Sequence, residues 1–123
     1  MIEAYSTNID VTADSAIPFN STSVIKGCTV THPSADTVNL NKCGVYMVSV
    51  DASSTDAFTI QLYKDGVAQP QAQSTGGSTG FKTLVQVDKN NTCCACTSPV
   101  SLQVMCDTAT TLINANICVT KVV

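Results

Sequence analysis

Apolar and polar residues alternate strictly along several short runs of this chain, and nowhere does an apolar period near 3.6 persist. Phe58, Ile60 and Leu62 alternate with Thr59, Gln61 and Tyr63, and Val100, Leu102, Val104 and Cys106 alternate with Ser101, Gln103, Met105 and Asp107. A period of two puts each set on its own face of a pleated strand. One dry and one wet face describe an antiparallel sheet with one side in solvent. Residue usage agrees. Threonine, valine and serine dominate, while the long-chain helix formers are scarce. β-branched side chains are stiff and suit a half-buried pleated surface. The fold class expected is all-β, with almost no helix.

The strand-like runs are separated by turn chemistry. Extended pieces are expected near Ile9–Thr12 and at Ile17-Pro18-Phe19, with polar Asn20–Ser23 behind the second. Cys28–His32 reads as a strand closed by Pro33-Ser34-Ala35-Asp36, and Thr37–Leu40 follows. Asn41-Lys42-Cys43-Gly44 turns into Val45–Val50, and Ser53–Asp56 is a polar break. Phe58–Lys64 and Val67–Gln73 flank Asp65-Gly66, the strongest hairpin signal present. Ser74–Gly80 reads as a flexible loop and Phe81–Val87 as a strand. Lys89–Ser98 reads as a polar loop carrying cysteines, before Val100–Cys106 and Leu112–Val122. Eight to ten strands at this spacing indicate a sandwich or jelly roll.

The chain of 123 residues suits one domain, residues 1–123. Charged residues are 12% and hydrophobic ones 44%, so the chain is not a disordered tail. Six basic residues and a net charge of -3 offer no basic stripe for nucleic acid. No apolar run is long enough to span a membrane as a helix, and the start lacks the plan of a signal peptide. With one histidine, no tryptophan and no nucleophile elbow, no catalytic grouping emerges. The expectation is a non-enzyme without a cofactor.

Two segments break the one-dry-face rule. In Val45–Val50, Tyr46, Val48 and Val50 point one way, and Val45 and Met47 the other. In Leu112–Val123, Ile113, Ala115, Ile117 and Val119 share a face, with Leu112 and Cys118 opposite. A strand that is dry on both sides needs a partner beyond its own core, here either a second copy of the chain or a covering loop. The interface residues expected are Tyr46, Met47, Val48, Ile113, Ile117 and Val119.

Seven cysteines are many for this length, and the odd number argues against a fully paired secreted framework. In a reducing cytoplasm such thiols serve as small buried hydrophobes. Cys93, Cys94 and Cys96 include one Cys-x-x-Cys spacing, half of what a structural zinc site wants. Zinc held by these loop cysteines is the alternative to a purely structural loop. Asp51, Asp56 and Asp65 lie near turns, where calcium would find oxygen ligands, but without a spaced calcium-loop motif. No metal is expected. The lone His32 reads as a surface or hydrogen-bonded residue rather than a ligand. Asn20-Ser21-Thr22 and Asn90-Asn91-Thr92 match a glycosylation sequon and read as polar loops.

Ile17-Pro18-Phe19, the run from Lys26 to His32 and the run from Val38 to Tyr46 resemble the TNF-like, complement-head-like jelly roll. Its "I-x-L-x-x-x-G-x-Y-x-V" line is matched by Val38, Leu40, Gly44, Tyr46 and Val48. The branch most similar is the collagen-like exosporium glycoprotein head of bacilli. The block Thr83–Val87, with Cys93-Cys94-Ala95-Cys96-Thr97-Ser98-Pro99 after it, is similar to small virion proteins of phages and prophages of gut Firmicutes. The resemblance implies a TNF-like sandwich of two antiparallel sheets and a homotrimer. The sheet holding Val45–Val50 and Leu112–Val123 would lie nearest the threefold axis. It also implies a phage virion structural protein, made in the bacterial host cytoplasm and placed on the virion surface as a capsid decoration or head-fibre protein. The partner would be the major capsid protein or another virion component. The alternative is a receptor- or glycan-binding tip, with a host-surface glycan contacted by Ser74–Gly80 and Lys89–Ser98. This chain lacks the Gly-X-Y stalk of the exosporium relatives, which leaves residues 1–12, as an attachment arm or first strand, or one trimer end to reach a particle. In that topology Cys28 would approach Cys106, and Cys43 would approach Cys118, within disulfide reach.

Overall fold

The computed structural model describes residues 1–87 and 99–123. Nine strands follow in order: β1 (Ile2–Val11), β2 (Ser15–Ala16), β3 (Ser21–Ile25), β4 (Val30–Ser34), β5 (Thr37–Leu40), β6 (Gly44–Lys64), β7 (Val67–Val87), β8 (Val100–Cys106) and β9 (Thr110–Lys121). Among the described residues there is no helix, and every strand pairing is antiparallel. The all-β jelly roll expected from the alternation is the fold observed.

Two long strands join the layers. β6 pairs with β9 from Tyr46 to Ser54 and with β8 from Ile60 to Lys64. β7 accompanies β6 through both stretches. One layer therefore runs β3-β1-β9-β6-β7, and the other β4-β5-β8-β6-β7, with β2 on the end of β8. Both layers turn their apolar sets inward to a single core. From the first come Ile2, Ala4, Tyr46, Val48, Val50, Val85, Ile117 and Val119. From the second come Val38, Leu40, Phe58, Ile60, Leu62, Leu102 and Val104.

Several boundaries differ from the sequence reading. The polar break Ser53–Asp56 is the corner at which β6 changes layers: its pairing with β7 slips between Ser53 and Phe58 while the strand continues. The Ser74–Gly80 segment is not a loop but the middle of β7. Thr75 opposes Thr59, Gly76 opposes Phe58 and Ser78 opposes Ser53. Glycine in a strand marks a bend or a close approach. At Gly80 it is a close approach: an added Cβ would lie 2.5 Å from the Val50 carbonyl and 2.1 Å from Asp51 Oδ1. The Asp51 carboxylate occupies the space a side chain would need.

Asn20–Ser23 is largely taken up by β3, a short exposed edge strand, because its backbone groups complete pairing with β1. Residues 2–11 form β1 between β3 and β9, and Ile2 and Ala4 are fully buried. That stretch is a first strand and not a loose arm. The Asp65-Gly66 hairpin forms with φ of 50° and 81°, the pair of positive angles a two-residue primed turn requires.

Gly80→Ala should lower unfolding free energy by about 1–3 kcal/mol, the range for overpacking. Gly77→Ala, whose methyl would meet nothing nearer than 3.5 Å, should shift it by less than ~1 kcal/mol. Urea denaturation of the two variants distinguishes them.

Candidate functional site

The outward face of the first layer carries the exposed apolar residues that sequence analysis assigned to a partner. Its register gives four cross-strand rows. Leu84, Met47 and Thr120 form the first, and Lys82, Ser49, Cys118, Glu3 and Val24 the second. Gly80, Asp51, Asn116 and Tyr5 form the third, and Ser78, Ser53, Asn114 and Thr7 the fourth. Short uncharged side chains make up much of the middle of this face.

Only two of the six expected interface residues point to it. Met47 is 37% exposed and Ile113 48% exposed, whereas Tyr46, Val48, Ile117 and Val119 are at most 1% exposed. Those four are corrected to the core of the chain itself. Their alternation was read properly, but the filled side of each strand is satisfied by the opposing layer. Tyr46 also anchors its ring there, its hydroxyl donating to the Lys42 carbonyl at 2.6 Å.

Ile113 sits outside for a different reason. The β6–β9 ladder passes from Ser53 opposite Asn114 to Ser54 opposite Leu112, making Ile113 the extra residue of a β-bulge. Across on β1, Asn8 has φ of 51°, a conformation asparagine tolerates better than most residues. The bulge reverses the phase, so that Leu112 is buried and Ile113 swings out. The remaining outward positions of β9 include Thr111, Asn114, Asn116, Cys118 and Thr120, so that strand is not greasy on both sides. Leu84, 58% exposed and directly opposite Met47, was missed. Its signal was available: Lys82 and Leu84 alternate with buried Thr83 and Val85 on the neighbour of a strand already singled out.

Magnitudes limit what this face can do through apolar contact alone. Full burial of a Leu, Met or Ile side chain is worth ~1.5–3 kcal/mol, and these are already half-buried. Met47, Leu84 and Ile113, with Tyr5 and Val24 on the same face, would then add roughly 1 kcal/mol each, against an association cost of about 4–15 kcal/mol. Shape and polar complementarity must supply the rest.

Neither expected disulfide can form. Cys28 precedes β4 at the end where Val30 opposes Leu40 and Leu40 opposes Val100. Cys106 closes the opposite end of the seven-residue strand β8, roughly 20 Å away, with β5 between. Cys118 opposes Ser49, again roughly 20 Å along β6 from Cys43. A disulfide needs Cα atoms within about 7 Å. Burial pushes the Cys106 thiol up from its ordinary value, a backbone hydrogen bond with Thr108 opposing that shift.

Cys93, Cys94 and Cys96, the Lys89–Ser98 loop and the Asn90-Asn91-Thr92 sequon lie outside the described residues. Among the described residues no three His, Cys, Asp or Glu side chains gather as metal ligands. Asp65 instead ties the hairpin to β8, accepting the Ser101 backbone N–H at 2.8 Å. Asp51 lies over Gly80, and Asp56 is exposed at the corner. His32 has Nδ1 2.9 Å from the Thr37 carbonyl and Nε2 2.8 Å from the Phe19 carbonyl. With a backbone oxygen at each nitrogen, the ring is a structural clamp and not a base aimed at a substrate.

The second layer carries a shallow groove of about 350 Å³ lined by Asp14, Thr59, Gln61, Tyr63, Met105, Cys106 and Asp107. The Asp107 carboxylate accepts the Thr59 N–H and the Thr108 hydroxyl, both at 2.8 Å. These bonds hold it below its usual 3.8.

No protein-family model matches this chain, and no curated protein matches it in sequence. Solved structures do match in shape. The globular domain of zebrafish complement 1qA protein superimposes with TM-score 0.74 at 10% identity, over 99% of this chain and 96% of that one. PRD1 vertex protein P5 gives 0.68 at 12% identity, over 99% and 96%. Rabbit GITRL gives 0.65 at 12% identity, over 100% and 95%. The chain has the TNF/C1q-type jelly-roll fold. No helix of the described residues is long and apolar enough to cross a membrane.

Because folding depresses the Asp107 carboxyl, its contribution is present above the unfolded value and lost as pH falls through the folded one. Wild type should therefore exceed Asp107→Asn in stability at neutral pH, and the gap should close well below pH 3.8. Urea titrations at both pH values check this.

Proposed function

We propose that this chain is a non-enzymatic structural protein of a phage virion, a homotrimer that decorates the capsid or forms a head fibre. The observation that carries the reading is the outward face of the first layer. Leu84, Met47 and Ile113 stand exposed there among short uncharged side chains, on adjacent strands β7, β6 and β9. A self-associating surface is built around such apolar anchors, with polar groups at its rim. The likeness in fold to a vertex protein over nearly the whole length of both chains supports the setting. With β1 built into the sheet, attachment to the major capsid protein or another virion component falls to one end of the trimer.

A second reading has its own observation. The groove between Asp14, Gln61, Tyr63 and Asp107 combines an aromatic ring, an amide and carboxylates without a base, a lining suited to an uncharged glycan on a host surface. Tyr63→Ala would abolish particle binding to host cells under this reading and leave it unchanged under the first. Copy number separates the two as well: many copies in a purified particle indicate decoration, a handful a tip.

Sedimentation equilibrium tests the assembly. Wild type should fit a trimer, while Leu84→Lys and Met47→Lys should each shift the population to folded monomer. Tyr63→Ala, on the other layer, should leave the trimer intact. A wild-type chain that stays monomeric at high concentration contradicts the reading.

A further inference from the structure

We infer that copies of this chain are keyed to one another by an ion pair between Lys82 of one protomer and Asp51 of the next. This rests on the self-association reading above and adds what selects the register of the contact.

The outward face of the first layer holds one base in its four rows, Lys82 on β7, and two acids, Asp51 on β6 and Glu3 on β1. Glu3 is engaged within the chain, accepting the Ser23 hydroxyl at 2.6 Å. Asp51 and Lys82 are both exposed, and neither side chain makes a hydrogen bond or ion pair with a described residue. They are diagonal neighbours, since Ser49 opposes Lys82 and Asp51 opposes Gly80. A cross-strand diagonal spans about 7–8 Å, and in the structure the two side chains extend without meeting.

The Asp51 carboxylate lies across β7 in the space left by Gly80, within 2.1 Å of where a Cβ would stand. It is presented at a fixed place on this face. Both charges thus stand over β7, displaced along it: base at Lys82, fixed acid over Gly80.

A face with opposite charges displaced along it is complementary to another copy of itself. In a closed ring every contact is heterologous, so Lys82 of one copy meets Asp51 of the next, and all copies are satisfied equally. The flanking serines, asparagines and Cys118 are short enough to let these side chains meet. Apolar anchors alone would allow several sliding registers. Opposite charges favour the one that pairs them, because like charges brought together are strongly penalised.

Charge reversal read by sedimentation equilibrium at low and high salt tests the pairing. Lys82→Glu and Asp51→Lys should each raise the trimer dissociation midpoint by about tenfold or more, and the double variant should return most of that loss. Lys82→Gln and Asp51→Asn keep the side chains near their native size and should weaken assembly less. Their double variant should lose the salt sensitivity of wild type. Thermal melts confirm that each variant is folded. Trimers indifferent to every single change would overturn the ion pair while leaving self-association standing. Single variants that weaken without mutual rescue would overturn it too. A monomeric wild type would overturn both.

Discussion

The continuous pairing of β6 with β7, from Gly44 opposite Val87 to Lys64 opposite Val67, is the constraint on which the other contacts depend. Each strand is 21 residues long, several times the usual length, and contributes to both layers. β9 and β1 can only be laid on the first half of β6, and β8 and β5 only on the second. The corner at Ser53–Phe58 and the glycines opposite it let two strands bend together without losing the ladder. Bulky side chains at Gly80 would force the strands apart where Asp51 crosses, and the outward face would be lost with them.

Two polar side chains inside this frame tie its segments together. Ser6, 3% exposed, donates to the Pro18 carbonyl and accepts from the Asn20 N–H, at 2.7 and 2.8 Å. It thereby fastens the Ile17–Asn20 segment under β1. His32 fastens the same segment to the β4–β5 hairpin through Phe19 and Thr37. Ile17 and Phe19 bury their side chains between these two ties. Such uses absorb the polar side chains that might otherwise have been assigned to catalysis or metal binding.

The sequence was most informative where a single two-residue period runs unbroken. Thr37–Leu40, the Asp65-Gly66 turn and Val100–Cys106 coincide with β5, the β6–β7 hairpin and β8, since local pattern and tertiary position agree there. It was least informative where the phase changes. No residue type announces that Ile113 is the odd one in a bulge, and the left-handed Asn8 that accompanies it is far away in sequence. The glycine-rich run before Phe81 has the composition of a loop, yet it is strand because β6 lies beside it. Reading Tyr46, Val48, Ile117 and Val119 as interface confused two sources of dryness, an opposing layer and an opposing copy. Only the three-dimensional order of the layers separates them. The cysteine pairings failed similarly: the strands were nearly right, but the ends at which the thiols sit were not.

In the proposed assembly, low charge and a few apolar anchors on the first-layer face would be completed by further copies of the chain. The two internal methionines provide the most direct check, because they sit on opposite outward faces: Met47 on the first layer at 37% exposure, Met105 half-buried on the second. Oxidation by dilute peroxide follows solvent access, and peptide mass spectrometry reads both sites in one sample. The assembled protein should oxidise at Met105 while Met47 is spared. Oxidation of Met47 as fast as Met105, under conditions where the chain is folded and concentrated, would mean that the first-layer face is open to water and would contradict the account.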